Sequence, residues 1–357
     1  MGNHCVRGFW FIADFFFLFE KELAFSERIA YNKHDRTPRT SHASDVSHGE
    51  TFFYQENLPM SDTHEDKLSG VLKVKNPITY DEQVERISEK GFIIEDVKSC
   101  KGFLRQANYY RLLAYYLPFK KKDGTYMKGI PFKRIQRIYE FDSHLRSLLS
   151  QIIEQIEFYL RTQLSYYISF AYGALGYLEP STFNAHHNDV VFKEKIAACI
   201  DDNKRTLVVK HHIQKYGGKF PMWVIIEFFS MGMLSYLYAD LLTPDKKKIA
   251  ADAFSTSADC LQSWLRCATD LRNRCAHYSR LYYWIFSAIP KTPQNAPYEF
   301  DRKLFSQILM LKYLYPDKLK WNNEISTAIE ALVEEYLPDI SLKHIGFPEN
   351  WKELLVS

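Results

Sequence analysis

At 357 residues the chain can bury a sizeable core, in one large domain or two smaller ones. Hydrophobic residues make up 46% and charged residues 25%, the ordinary balance of a soluble globular protein. The formal net charge of +3 permits RNA binding without demanding it, because a nucleic-acid surface needs local clustering rather than a large total.

Six cysteines lie at 5, 100, 199, 260, 267 and 275, with no C-x-x-C pair among them. They read as reduced thiols of a cytoplasmic protein, with no zinc site and no cofactor implied. The apolar run from Gly8 to Phe19 is too short to span a bilayer and contains Asp14. With one arginine before it and no small-residue cleavage site after it, it does not read as a signal peptide.

Residues 1–59 differ from the rest: an aromatic patch is followed by the polar stretch His34 to Ser44, with neither helical nor strand period. They are expected to be disordered or a non-native extension, with Met60 as a natural start, 60–75 as a linker, and the ordered domain over 76–352.

Thr79-Tyr80-Asp81-Glu82 is a capping box that opens a helix running to about Lys90, before Gly91. A second helix is expected from Val97 through Asn108 and Tyr116 to Pro118. Asp123-Gly124 marks a turn between two short segments, as in a hairpin. From Lys133 to Ala171 one long helical pattern carries Ile135, Ile138, Leu145, Leu148, Ile152, Ile156, Leu160 and Leu164 at intervals of three, four or seven. Helices follow at 189–215 and 221–241. Another starts near Ser257, with Leu261, Trp264, Leu265, Ala268 and Leu271 on one side. After a loop at Pro290–Pro297, helices at 300–314 and 323–336 complete an all-α fold.

The chemistry concentrates in Leu271-Arg272-Asn273-Arg274-Cys275-Ala276-His277. Arg272 supplies a permanent fork of donors for phosphate oxygens. His277 can take or give a proton near neutral pH. Asn273 is a short amide able to orient its neighbours. On a continuous helix, positions five apart are displaced by ~140°, so Arg272 and His277 do not share a face, whereas Asn273 and His277 do. Two copies across a two-fold axis would place two arginines and two histidines around one phosphate.

Arg272-Asn273-x-x-x-His277 resembles the Arg-x(4–6)-His motif of the HEPN superfamily. The wider chain resembles the Abi-like branch (AbiD/AbiF-type) of bacterial abortive-infection proteins. The segments that carry this are Thr79–Gln83, Asn108–Leu112, Tyr139-Glu140-Phe141-Asp142-x-x-Leu145-Arg146, Ile153–Thr162, Pro221-x-Trp223-x-x-x-Glu227 and Gly346–Trp351. Where that family often has a second histidine and then Arg-Leu-Trp-Asn, this chain has Tyr278-Ser279-Arg280-Leu281-Tyr282-Tyr283. The resemblance implies a HEPN-type helical bundle with additional Abi-specific helices, homodimerisation and RNase activity. It places Arg272, Asn273 and His277 at the catalytic positions.

The expected function is metal-independent cleavage of RNA in antiphage defence, restrained by a neutralising partner or a bound regulatory small RNA. The alternative is a non-catalytic module that holds a regulatory or guide RNA. Glu154, Glu157, Arg161 and Glu227 are supporting candidates. Glu157 and Arg161 form a favourable i,i+4 pair, and Glu227, set among apolar residues, is expected to anchor an arginine or a helix end. Arg274 reads as a surface partner of Asp270. His186-His187 and His211-His212 read as surface residues. Lys120–Lys122, Lys133-Arg134 and Lys246–Lys248 read as solvated faces that become phosphate contacts only if they gather at the motif. The pairs Tyr109-Tyr110 and Tyr115-Tyr116 read as core before base-stacking platforms.

Overall fold

The computed structural model describes residues 76–356, and from Pro77 onward these belong to one compact unit. The expectations for residues 1–59 and 60–75 fall outside the described residues. Helix α1 (Tyr80–Glu89) opens on the capping box, with the Thr79 hydroxyl accepting from the Glu82 amide and the Glu82 carboxylate accepting from the Thr79 amide. The next helix is two rather than one: α2 (Val97–Leu104) and α3 (Tyr109–Tyr116). The Asn108 side chain accepts from the Tyr110 amide and starts a new helix there.

Asp123-Gly124 makes the turn, with Asp123 accepting from both the amide and hydroxyl of Thr125. Only one antiparallel bridge, Lys120 with Tyr126, flanks it. Instead β1 (Phe92–Ile93) pairs in parallel with β2 (Ile130–Pro131), Phe92 opposite Ile130. This two-residue ladder sits at the entrance to the longest element and leaves the fold all-α.

That element is α4 (Phe132–Tyr172), 41 residues, or ~60 Å at 1.5 Å per residue. It ends at Gly173, whose φ of 82° lies where a side chain would be strained. Its inward stripe from Phe132 through Ile135, Ile138, Phe141, Leu145 and Leu149 to Ile168 is buried, and α3 and the helices Ala258–Ala276, Leu304–Leu314 and Ser326–Tyr336 pack against it.

The expected helix over 189–215 breaks into α5 (Asp189–Asp202) and α6 (Leu207–Tyr216), because Thr206 caps a fresh start. The expected 221–241 helix breaks likewise. Pro221 caps α7 (Met222–Ile225), a 3-10 turn follows over Ile226–Phe228, and Ser230 caps α8 (Met231–Asp240). Helix α9 (Thr243–Phe254) was unforeseen. Its three consecutive lysines hide the short apolar face of Ile249, Ala250 and Phe254.

Helix α10 (Ala258–Ala276) begins at Ser257, which accepts from the Cys260 amide, and buries Leu261, Trp264, Leu265, Ala268 and Leu271 as expected. After a loop come α11 (Leu304–Leu314), α12 (Lys318–Lys320) continuing as a π turn over Trp321–Ile325, and α13 (Ser326–Tyr336). Two short helices, α14 (Leu342–Ile345) and α15 (Trp351–Leu355), come after the last one expected. Arg137 fastens α13 to α4: it lies 4.0 Å from the Tyr336 ring centre and pairs with Glu335 and Asp339.

A buried ion pair sits within the apolar stripe of α4. Asp142 is fully buried and holds Arg146 one turn on. Its carboxylate also accepts from the Tyr115 hydroxyl of α3 at 2.7 Å and from the amides of Leu281 and Tyr282 at 3.0 and 2.6 Å. Burial pushes the Asp142 carboxyl up, and Arg146 with these hydrogen bonds pulls it back.

Removing one side of such a pair leaves an uncompensated buried charge. Asp142→Ala is therefore expected to lower stability by about 3–5 kcal/mol. Asp142→Ala combined with Arg146→Met should lose less than the single variant. Urea unfolding midpoints measure both, and a double variant weaker than the single would contradict this account.

Candidate active site

The motif lies at the end of α10. Arg272 and Asn273 belong to its last full turn, and His277 is the residue that ends it, with φ −87° and ψ 10°. The His277 amide donates to the Asn273 carbonyl at 2.8 Å. Tyr278 then donates to Cys275 at 3.1 Å and Ser279 to Arg274 at 2.8 Å, the paired bonds of a Schellman turn. Tyr278 occupies the left-handed position at φ 55°, which glycine usually fills.

Beyond this reversal the chain is secured to the bundle. Leu281 and Tyr282 donate to Asp142, and the Arg280 guanidinium donates to the Ala114 carbonyl at 2.6 Å. His277, half-buried, is thus held between a packed helix and an anchored loop.

Arg272 leans from α10 toward α4. Its Nε lies 3.9 Å from Glu157 Oε2, an ion pair beyond hydrogen-bond reach, and its Nη1 donates to the Asn273 amide oxygen at 3.3 Å. The other Glu157 oxygen accepts from Arg161 Nη2 at 2.6 Å, and that nitrogen also donates to the Phe229 carbonyl at 2.7 Å. One mostly buried carboxylate therefore stands between two guanidinium groups. Arg161 is the tightly held one and Arg272 the loosely held one. Arg161 Nε is buried without a hydrogen bond, so this corner keeps unspent donor capacity.

The other supporting candidates lie apart from this arrangement. Glu154 is exposed on α4. Glu227 is also exposed, and among the described residues no ion pair links it to an arginine. Its neighbours Ile225, Ile226 and Phe229 take the inward positions, and the change from α to 3-10 winding turns Glu227 out. The expectation of a buried, anchored carboxylate is corrected.

Arg274 is corrected as well. It keeps a 3.9 Å ion pair with Asp270, but its guanidinium lies 3.7 Å from the centre of the Trp284 ring, largely buried. Burial pushes the Cys275 thiol, two residues before His277, up to about 12, which leaves it no nucleophile.

His187 is likewise no surface residue. Its ring stacks on Phe183 at 3.9 Å and its Nδ1 lies 2.9 Å from Asp240 Oδ2. Of the basic runs, Lys246 reaches Ala239 and Gln262, Lys248 pairs with Asp252, and Arg134 donates to the Asp339 carbonyl, whereas Lys121 and Lys122 are exposed. Tyr115 and Tyr116 are core, whereas Tyr110 is exposed.

Asp142 and Arg146 escaped assignment as positioning residues. Their signal was present: an acid and a base four apart on a face otherwise made of Ile138, Phe141, Leu145 and Leu149. Charges at helical spacing within an apolar stripe must meet each other inside.

The architecture defines an all-helical protein whose polar cluster of Arg272, Asn273 and His277 sits at one anchored helix end. Residues 102–283 match the Abi-like protein family, just over half of the chain, and the chain belongs to that family. The matched stretch spans α4, the Asp142 anchor, the Glu157 cluster and the motif. Membership suggests a role in abortive infection. No curated protein and no solved structure matches the chain. Among the described residues no helix is long and apolar enough to cross a membrane.

The left-handed Tyr278 generates a prediction. A non-glycine residue there costs roughly 1–2 kcal/mol, and the exposed Tyr278 ring gives up little packing. Tyr278→Gly should raise the melting temperature by roughly 2–4 °C per kcal/mol recovered. An unchanged or lower value in thermal denaturation would show that the ring contributes more than the backbone strain costs.

Proposed function

We propose that the protein is a metal-independent endoribonuclease of HEPN type, acting as a homodimer in bacterial abortive infection. What supports this reading is that Arg272 and Asn273 lie near the end of α10 and His277 caps it, the histidine backbone being held by that cap and by the loop tied to Asp142, while two copies would be needed to bring arginine and histidine to one phosphate.

In this reading the His277 imidazole takes the proton from a ribose 2′-hydroxyl. The 2′-oxygen attacks the adjacent phosphorus, and the bond to the 5′-oxygen breaks. The departing oxygen receives a proton from the imidazole of the second copy. The products are a 2′,3′-cyclic phosphate and a free 5′-hydroxyl. Arg272, held only loosely by Glu157, turns toward the phosphate and offsets charge growing on its oxygens. Arg161 keeps Glu157 in place, so that carboxylate does not follow. DNA, lacking the 2′-hydroxyl, is not cut. A bound small RNA or a neutralising protein restrains the activity until infection.

Purified protein with labelled RNA and excess EDTA tests the assignment. His277→Ala and Arg272→Ala should each slow cleavage by about 10²–10⁴, and the wild-type products should end in cyclic phosphate. Equal cleavage by all three proteins would discard the assignment. Binding without turnover by the wild type, weakened in His277→Ala, would favour a non-catalytic module that holds a regulatory RNA.

A further inference from the structure

Between Asp202 and Glu227 the chain has no carboxylate but carries Lys204, Arg205, Lys210, Lys215 and Lys219, with His211 and His212 among them. Apart from the neighbours Lys204 and Arg205, the cations are spaced along the segment, so no long run announces them. The structure gathers them on and beside α6, of whose ten residues only Val209 is buried. Lys204 pairs with Asp201, and the remaining cations stand on exposed positions.

Spaced by 100° per residue, Val209, His212, Ile213 and Tyr216 share one arc of α6, where Val209 is buried, His212 stacks on Phe220 at 5.2 Å, and Ile213 and Tyr216 stay half exposed. The outer arc holds Leu207, Val208, Lys210, His211, Gln214 and Lys215. The exposed apolar residues fall on both arcs, Leu207 and Val208 on one and Ile213 and Tyr216 on the other, which makes a poor single wedge for lipid, whereas the positive charge beside them suits a chain of phosphates.

Aromatic surface continues from this helix toward Arg161. The Met222 amide donates to the Ala174 carbonyl just beyond the end of α4, and the Phe229 carbonyl accepts from Arg161. The segment between them therefore runs back along the last three turns of α4. On it Trp223 is 55% exposed, an unusual placement for the largest side chain. Phe158, Tyr166 and Phe170 stand exposed on α4 itself, in register at multiples of four over ~18 Å.

We propose that α6 with its flanking cations and Trp223 forms a binding surface for single-stranded RNA, the cations holding phosphates and Trp223 stacking on an unpaired base. Duplex RNA would present phosphates but no free base face, so the exposed ring selects the single strand. This surface binds whether or not His277 cuts.

The test uses the full chain and a fluorescein-labelled, fully 2′-O-methylated oligouridylate of about 20 nucleotides, which has no 2′-hydroxyl to react. Fluorescence anisotropy across a salt series gives the affinity and its salt slope. Lys210→Glu with Lys215→Glu should weaken binding at least tenfold and reduce the slope by about 1.4, since each lost phosphate contact to a single strand removes about 0.7. Trp223→Ala should weaken binding about tenfold with the slope unchanged. Lys98→Glu with Lys121→Glu, exposed on and beyond α2, is the charge-matched control and should bind nearly as the wild type does.

The proposal is overturned if the wild type does not bind the oligonucleotide. It is also overturned if the Lys210 and Lys215 variant binds within twofold of wild type, or if the control loses as much. Flotation with phosphatidylserine vesicles, but no RNA binding, would reassign the surface to a membrane and overturn it as well. Binding that behaves as expected beside a wild type that cannot cleave unmodified RNA would sink the nuclease reading and leave this surface standing.

Discussion

Everything near the motif depends on a single buried carboxylate. Asp142 collects a hydroxyl from α3, a guanidinium from its own helix, and two amides from the loop that follows His277. None of these donors could be left alone in a dry interior without a cost near that of a lost hydrogen bond. The carboxylate therefore fixes where the chain goes after α10 ends. Arg146 adds a long contact to the Ser279 carbonyl at 3.5 Å, drawing the same loop toward α4. A helix end free on one side would fray. Here the last turn and its sequel are held at both ends, so His277 occupies one place relative to α4.

The second constraint is electrostatic. Glu157 is mostly buried yet meets two guanidinium groups at unequal distances, 2.6 Å for Arg161 and 3.9 Å for Arg272. The short contact is a charge-assisted hydrogen bond reinforced by the Phe229 carbonyl, and it ties the turn before α8 to α4. The long contact supplies Coulomb attraction without geometry. The same acid thus serves as a structural tie for one arginine and a loose tether for the other.

Much of this was legible in the sequence because it rests on local rules. The Thr79 capping box, the period of α4 and the inward face of α10 all follow from positions a few residues apart. The breaks in α2–α3 and α5–α6 were misread because Asn108 and Thr206 can either continue a polar face or cap a new helix, and only packing decides. Glu227 and His187 were misplaced for a related reason: a switch to 3-10 winding and a stack on Phe183 come from tertiary context. Two partners of Asp142, the amides of Leu281 and Tyr282, lie about 140 residues on, beyond any local pattern. The ion pair could be inferred from its spacing, but not the loop that it holds.

The residue types of Arg272, Asn273 and His277 carry the chemistry, and the geometry assigns the arginine and the histidine different freedoms. His277 is bound to the fold by its backbone and its successor residues. Arg272 is bound only by a side-chain amide and a distant carboxylate. Such a pairing of one fixed and one adjustable group suits a reaction in which the proton acceptor must be aimed beforehand while the charge to be offset appears only as bonds break. A fully rigid Arg272, hydrogen-bonded to Glu157 as Arg161 is, would have to give up that bond before meeting a phosphate. In the proposed nuclease, the 3.9 Å separation would spare Arg272 that bond-breaking step, and Arg161 would keep Glu157 where it is.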